Sequence, residues 1–358
     1  MKYNDIRRLT KGVKIGSLEI GAKNPILIQS MTNTDTADAI STISQIRALE
    51  EAGCDIARIT VPNLESALTI SKIKASGIKM PIVADIHFDY KIALECARLG
   101  VDKIRINPGN IGDEIKIREV VEACKSNGIP IRIGVNGGSL EKHILQKYGS
   151  PTPEALAESA FYHISLLEKF GFEDIVVSVK SSNVRNMILA NRIIAQKCDY
   201  PIHLGVTEAG DDYSGLVKSS AGIGALLCDG IGDTIRVSLT ADPVKEIYAA
   251  REILASFGFN NGGTIKIVSC PTCGRTKIDL ISLSKAFKDA IRTLDTNGKT
   301  ISVALMGCVV NGPGEARECD IGIAGGEGCA LLFKKGEIVR KIKEDEISPV
   351  LISEIEKF

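Results

Sequence analysis

Pro81-Ile82-Val83-Ala84-Asp85-Ile86-His87 opens a unit that closes on Lys103-Ile104-Arg105-Ile106-Asn107. A short β-branched run ends in polar residues, helical periodicity follows as far as Gly100, and the next run begins. The same unit recurs along the chain. Its runs are Ile26 to Ile28, Ile56 to Val61, Pro81 to Ala84, Lys103 to Ile106, Ile131 to Val135, Asp174 to Val179, Pro201 to Val206 and Thr234 to Leu239. Stretches such as Ala37 to Ala52 and Glu65 to Ser76 lie between them, with apolar residues at three- and four-residue spacing. Gly53, Gly77, Gly100, Gly128 and Gly171 each end such a stretch, as a helix-terminating glycine does. Alternating strands and helices imply parallel strands joined by right-handed crossovers. Eight units over about 240 residues is the size of a closed (β/α)8 barrel. The alternative is an open doubly wound sheet; against it, no Gly-x-Gly-x-x-Gly follows the first strand.

The barrel is expected over residues 1–258. The cluster Gly258-Phe259-Asn260-Asn261-Gly262-Gly263 reads as a linker. A smaller α/β domain is expected over 264–358. It starts with a strand at Thr264 to Ser269 and ends in a hairpin, Ala330 to Ile342, turning at Lys335-Gly336 before a last helix.

Composition narrows the function. Lys plus Arg and Asp plus Glu are 44 each, so the formal net charge is zero, which argues against a nucleic-acid binder. Trp is absent and aromatics make up 4%, too few for base-stacking platforms. No apolar run approaches the roughly 20 residues of a membrane span. Met1 to Lys14 has no apolar signal-peptide core, so a cytoplasmic protein is expected. Its ten Cys then read as thiols or metal ligands. Cys54, Cys96, Cys124, Cys198 and Cys228 stand singly in apolar segments and need no role beyond packing.

A barrel enzyme works at the carboxyl ends of its strands. Those ends carry Gln29 to Thr32, Arg58, Asp85 with His87, Arg105 with Asn107, Arg132 with Asn136, Ser178 with Lys180, Thr207-Glu208, and Arg236 with Ser238. One arginine there is ordinarily an ion-pair residue. Arg58, Arg105, Arg132, Lys180 and Arg236, at equivalent points of five strands, are a cationic rim. Crowding like charges costs many kcal/mol unless anions neutralise them, so the expected ligand is phosphate or diphosphate. Lys218 to Gly224 reads as a small-residue loop opening a helix after strand seven, which would offer Ser219, Gly222 and Gly224 to a phosphate. Asp85, His87 and Glu208 are acid–base candidates. His87 is equally readable as a wall residue, and the carboxylates as supports for the arginines. His143, His163 and His203 read as structural.

Cys270-Pro271-Thr272-Cys273 is a Cys-x2-Cys knuckle, and Cys308 follows in Met306-Gly307-Cys308-Val309-Val310-Asn311-Gly312-Pro313-Gly314-Glu315. Thiolates select zinc or iron–sulfur clusters over hard cations. The fourth ligand is Cys319, with Cys329 behind it, or Glu315, brought back by a Gly-Pro-Gly turn. Spacing alone leaves a cluster, zinc and a redox dithiol open.

These cysteine segments, with Asp320-Ile321-Gly322-Ile323-Ala324-Gly325-Gly326, resemble the second domain of the 4-hydroxy-3-methylbut-2-enyl diphosphate synthase family. Gln29 to Thr32, Asp85 to Phe88, Arg105 to Asn110, Gly134 to Leu140, Ser178 to Ser182, His203 to Gly210 and Gly230 to Leu239 resemble its barrel, in the bacterial two-domain form. The resemblance implies a [4Fe–4S] cluster on Cys270, Cys273 and Cys308, with Glu315 completing it. It implies 2-C-methyl-D-erythritol 2,4-cyclodiphosphate as substrate and a two-electron reductive ring opening. A ferredoxin or flavodoxin would supply the electrons, and a homodimer would set one subunit's cluster domain over the other's barrel. Lys334, Lys335, Arg340, Lys341 and Lys343 would then meet an acidic carrier or simply form a solvated face. The rival readings are a non-redox, pteroate-synthase-like barrel transferase with a structural zinc domain, and a binding protein built on the knuckle.

Overall fold

The computed structural model describes residues 7–259, 263–291, 294, 296, 298–310 and 312–358, without the side chains of 312, 315 and 316. The chain forms two compact units, Met1–Phe259 and Asn260–Phe358. Of the expected linker, residues 260–262 lie outside the described residues.

In the first unit a hairpin, β1 (Val13–Ile15) and β2 (Leu18–Ile20), precedes the parallel strands. These are β3 (Leu27–Met31), β4 (Ile56–Thr60), β5 (Ile82–Asp85), β6 (Lys103–Ile106), β7 (Ile131–Asn136), β8 (Ile175–Lys180), β9 (His203–Leu204) and β10 (Thr234–Ile235). Their order is β8-β7-β6-β5-β4-β3-β10-β9. A parallel bridge between Val177 and Ile202 brings the two ends of the sheet together into the barrel. Every strand sits on an expected run. β9 and β10 are shorter than their runs, because Gly205 and the polar residues after them leave the ladder.

The hairpin was not expected. Val13, Ile15 and Ile20 pack on Leu27, Ile56, Val83 and Val176, which stand at or next to the first positions of their strands. It therefore plugs the amino end of the barrel and leaves the carboxyl end as the open one.

Helices start where a short polar side chain caps the chain leaving a strand. Asn63, Asp113, Asn183 and Asp211 each accept a hydrogen bond from the backbone N–H three residues on. At the far end, Gly128 takes φ 64° and donates its N–H to Cys124 and Lys125, a turn that an L side chain would strain.

The second unit is a five-stranded sheet in chain order: β11 (Thr264–Ser269), β12 (Thr300–Met306), β13 (Ile321–Gly326), β14 (Cys329–Lys334) and β15 (Glu337–Lys343). β11, β12 and β13 run parallel, and β14 and β15 form the antiparallel hairpin expected at the end. One sheet face packs Ile301, Val303, Leu305, Ile321 and Ile323 against Phe287 and Leu351 of helices Leu280–Ala290 and Ile347–Ile355.

A cationic barrel mouth and a three-thiol cavity

Inward-facing residues of β4 to β8 bring the expected cations together, although Arg132, expected at a carboxyl end, is the second residue of β7 and Arg58 the third of β4. Adjacent registers place Arg105 beside Arg132 and Asp85 beside Arg105. Asp85 is 2% exposed and is the anion at the centre. Its Oδ1 accepts from Arg105 Nη1 at 3.0 Å, and its Oδ2 lies 3.7 Å from Arg58 Nε and 3.8 Å from His87 Nε2. Burial alone would raise its carboxyl. Arg58, Arg105, His87 and Arg132 outweigh burial and hold it at about 2.

One carboxylate does not balance the cations around it. Arg132, 1% exposed, gives Nη1 to the Gln29 side-chain oxygen at 2.9 Å, while its Nε has no hydrogen-bond partner among the described residues. Arg58 donates from Nε and Nη2 to Met31 Sδ at 3.0 and 2.7 Å, a weak acceptor for a guanidinium. Burial first, and then neighbouring cations, push Arg132 and Lys180 well below their ordinary proton affinities. Arg236 Nε is 3.7 Å from Glu246, whose carboxylate also accepts from Ser30 Oγ and the Leu239 N–H. An anion entering this mouth meets donors already stripped of water, which is where charge-assisted hydrogen bonds are strongest.

Close approach at Gly134 is part of the geometry. Arg105 Nη2 donates to the Gly134 carbonyl at 3.3 Å, and a Cβ at this position would overlap the guanidinium. With its amide turned to satisfy both neighbours, Asn136 accepts from Arg105 Nη2 and donates to the Val135 carbonyl, each at 3.2 Å. Asn107 is buried and donates to Ser139 Oγ at 3.3 Å. Ser178 is buried and Ser238 half-buried. His87 and Glu208 stand at the wetter margin: the His87 side chain is 44% exposed, and Glu208 is exposed with its backbone left-handed at φ 51°. That conformation costs a non-glycine residue energy and is often kept for function.

Ser219, Gly222 and Gly224 require a correction. They do not form a loop at a helix start; they lie inside helix Asp212–Cys228. Asp211 caps that helix by accepting the Ser214 N–H at 2.8 Å, which sets its start well before Lys218. Small residues there serve close packing. Ser219 is fully buried, a Cβ on Gly222 would press on Met187 and Val206, and one on Gly224 would press on Phe257. The Asp211-Asp212 pair ahead of an amphipathic stretch is the capping signal that locates the helix start. Glu246 is the site residue that strand-end reasoning misses, since it sits on helix Pro243–Ser256. Its signal is a carboxylate in phase with the buried Ala250 and Ile253.

In the second unit the parallel register of β11 and β12 pairs Ser269 with Leu305, so the segments after both strands emerge side by side. Cys270 donates its N–H to Leu305, and its Sγ accepts the Gly307 N–H at 3.3 Å. Thr272 turns the knuckle at φ 55°, and Thr276 Oγ1 accepts the Cys273 N–H. A Cβ on Gly307 would strike Thr276, so the knuckle needs that glycine to lie against β12. Cys270, Cys273 and Cys308 all line one cavity of about 360 Å³, with Pro271, Arg275 and Met306. Three thiols on one cavity, one of them already accepting a backbone N–H, match the donor set of an iron–sulfur cluster. Cys319 is buried instead with Ala304, Met306, Ala324 and Phe333. Gly312-Pro313-Gly314, expected as a turn, begins the short helix Gly312–Arg317; the side chain of Glu315 in it lies outside the described residues.

Among the described residues no helix is long and apolar enough to cross a membrane. Comparison of the barrel with solved structures finds dihydropteroate synthases. That from Stenotrophomonas maltophilia, with active-site-bound imidazole, gives a TM-score of 0.51 at 13% identity over 69% of this chain and 98% of that one. The Yersinia pestis enzyme gives 0.50 at 13%, with the same coverage. Identity that low speaks for the fold alone. Sequence relatives go further. The 4-hydroxy-3-methylbut-2-en-1-yl diphosphate synthase (flavodoxin) of Clostridium perfringens is 56% identical over 350 residues, 98% of this chain and 99% of the relative. The protein of the same name from Fusobacterium nucleatum is 56% identical over 342 residues, covering 96% and 95%. The GcpE TIM-barrel domain matches residues 10–251 and the GcpE protein C-terminal domain matches 266–357. With both domains matched in order and full-length relatives at this identity, the chain belongs to the GcpE family, that of the 4-hydroxy-3-methylbut-2-en-1-yl diphosphate synthases.

Proposed function

We propose that the chain catalyses the reductive opening and dehydroxylation of 2-C-methyl-D-erythritol 2,4-cyclodiphosphate to 4-hydroxy-3-methylbut-2-enyl diphosphate, a step of isoprenoid precursor synthesis. Two electrons and two protons enter, the ring carbon–oxygen bond opens, and a hydroxyl leaves as water. The observation that carries the reading is the single cavity that Cys270, Cys273 and Cys308 line. The solved dihydropteroate synthases cover 69% of this chain, and their likeness speaks for the fold alone.

Cys270, Cys273 and Cys308 hold a [4Fe–4S] cluster, with Glu315 as the fourth ligand. When bound, that group supplies electrons and a Lewis-acidic iron. The mouth supplies the rest. Arg58, Arg105, Arg132, Lys180 and Arg236 bind the diphosphate, with Asn107, Asn136 and Ser238 fixing its orientation. Asp85 stays ionised at neutral pH because its folded value is about 2. It therefore aligns Arg58 and Arg105 and gives up no proton, which leaves proton delivery to His87 and Glu208 at the margin. Flavodoxin is the electron donor, as the relatives' names print, with ferredoxin as the alternative. The enzyme acts as a homodimer in the cytoplasm.

The test is anaerobic turnover of the cyclic diphosphate with chemically reduced flavodoxin, with product identified by mass spectrometry. The linear diphosphate should form with the wild type and fall at least a hundredfold with Cys308→Ser and with Lys180→Met. Wild-type protein that carries the cluster and consumes no substrate would overturn the proposal.

A further inference from the structure

Glu141 and His163 lie outside the mouth, and neither is needed for the chemistry above. Glu141 directly precedes helix Lys142–Tyr148, and His163 belongs to helix Pro153–Glu168. His163 Nε2 is 2.6 Å from Glu141 Oε1, in ion-pair range but not aligned as a hydrogen bond, with His163 fully buried and the Glu141 side chain 12% exposed. Burying two ionisable groups is costly unless their placement is used.

Their placement is specific. A Cβ on Gly109 would lie 3.0 Å from Glu141 Oε1 and 3.1 Å from His163 Cε1, so the pair closes over the short helix Pro108–Ile111. Asn107 starts that helix: its Oδ1 accepts the Gly109 N–H at 3.2 Å. The Asn107 amide then donates to Ser139 Oγ at 3.3 Å, and Ser139 donates to the Asn136 carbonyl at 3.3 Å. Asn107 directly follows β6, and Asn136 is the last residue of the neighbouring β7. The links joining them are all at the long end of hydrogen-bond distances, so they do not hold the two loops unaided.

We infer that Glu141 and His163 are positioning residues, a buried brace that clamps Gly109 and thereby fixes Asn107 and Asn136 for the substrate diphosphate. The inference rests on the binding role proposed above for those asparagines. A brace acts through Asn107, so its effect should disappear when Asn107 is already gone; a residue that merely packs two helices would not behave so.

The experiment uses the full chain with the cluster in place. Calorimetric affinity for pyrophosphate and the KM and kcat for the cyclic diphosphate are measured for wild type, Glu141→Gln, Asn107→Ala and the double variant. Glu141→Gln should weaken pyrophosphate binding and raise KM about tenfold, with kcat within about threefold, and should add little to Asn107→Ala. His163→Gln, which keeps a donor near Nε2, should retain more affinity than His163→Ala. Unchanged affinity in Glu141→Gln, or losses that multiply in the double variant, would overturn the inference and leave the function standing. Wild type that binds pyrophosphate without turning over the cyclic diphosphate would overturn the function, and the brace would still be read from the pyrophosphate affinities.

Discussion

Exchanging Asp85 for Asn separates two quantities that a simple loss of structure would move together. The substitution keeps the shape and removes the carboxylate charge nearest Arg58, Arg105 and His87. A carboxyl drawn from 3.8 to about 2 contributes about 2 kcal/mol to folding at neutral pH. Because the folded value is the lower one, the contribution is complete above about pH 4 and is lost as pH falls through about 2. Asp85→Asn should therefore lower stability by about 2 kcal/mol at pH 7, read from urea unfolding followed by circular dichroism. The same change adds a net positive charge to the mouth. Pyrophosphate, read by calorimetry, should bind on the order of tenfold more tightly to the variant than to wild type. Stability falling while anion affinity rises is the signature of a carboxylate that restrains excess cations. A variant as stable as wild type, or one whose pyrophosphate affinity falls, would refute the reasoning.

Other expectations come from single contacts. Gly134→Ala places a methyl against the Arg105 guanidinium, and should weaken pyrophosphate binding about tenfold while the circular dichroism spectrum is unchanged. Ser219→Ala, inside a helix and away from any anion, should leave pyrophosphate affinity within about twofold; a larger loss would restore the phosphate-loop reading. Glu246→Gln leaves Arg236 without its carboxylate and should cost about 1–3 kcal/mol in urea unfolding.

The barrel was legible because its signal is repeated: strand runs end in polar residues and five of the helical stretches in a glycine, so the units support one another. The strand runs also named most of the mouth: Lys180 ends β8 and Arg105 lies one residue inside the end of β6, while Arg58 stands mid-strand in β4 and Arg132 is the second residue of β7. What was not legible depends on contacts made across the fold. Glu246 reaches the mouth from a helix, and Glu141 meets His163 only after two helices pack. Hairpin β1–β2 is too short to carry a periodic signal, and its apolar residues make sense only once the barrel has an end to plug. The 218–224 segment was misread because Gly and Ser serve anion-binding loops and tight helix packing alike; only the position of the cap distinguishes them.

The most direct test of the central claim is anaerobic purification followed by a visible spectrum and iron, sulfide and zinc analysis, with Cys270→Ser, Cys273→Ser and Cys308→Ser alongside. The account predicts a brown protein with about four irons and four sulfides per chain, and loss of that content in each variant. A colourless protein holding stoichiometric zinc on the same three cysteines would contradict it.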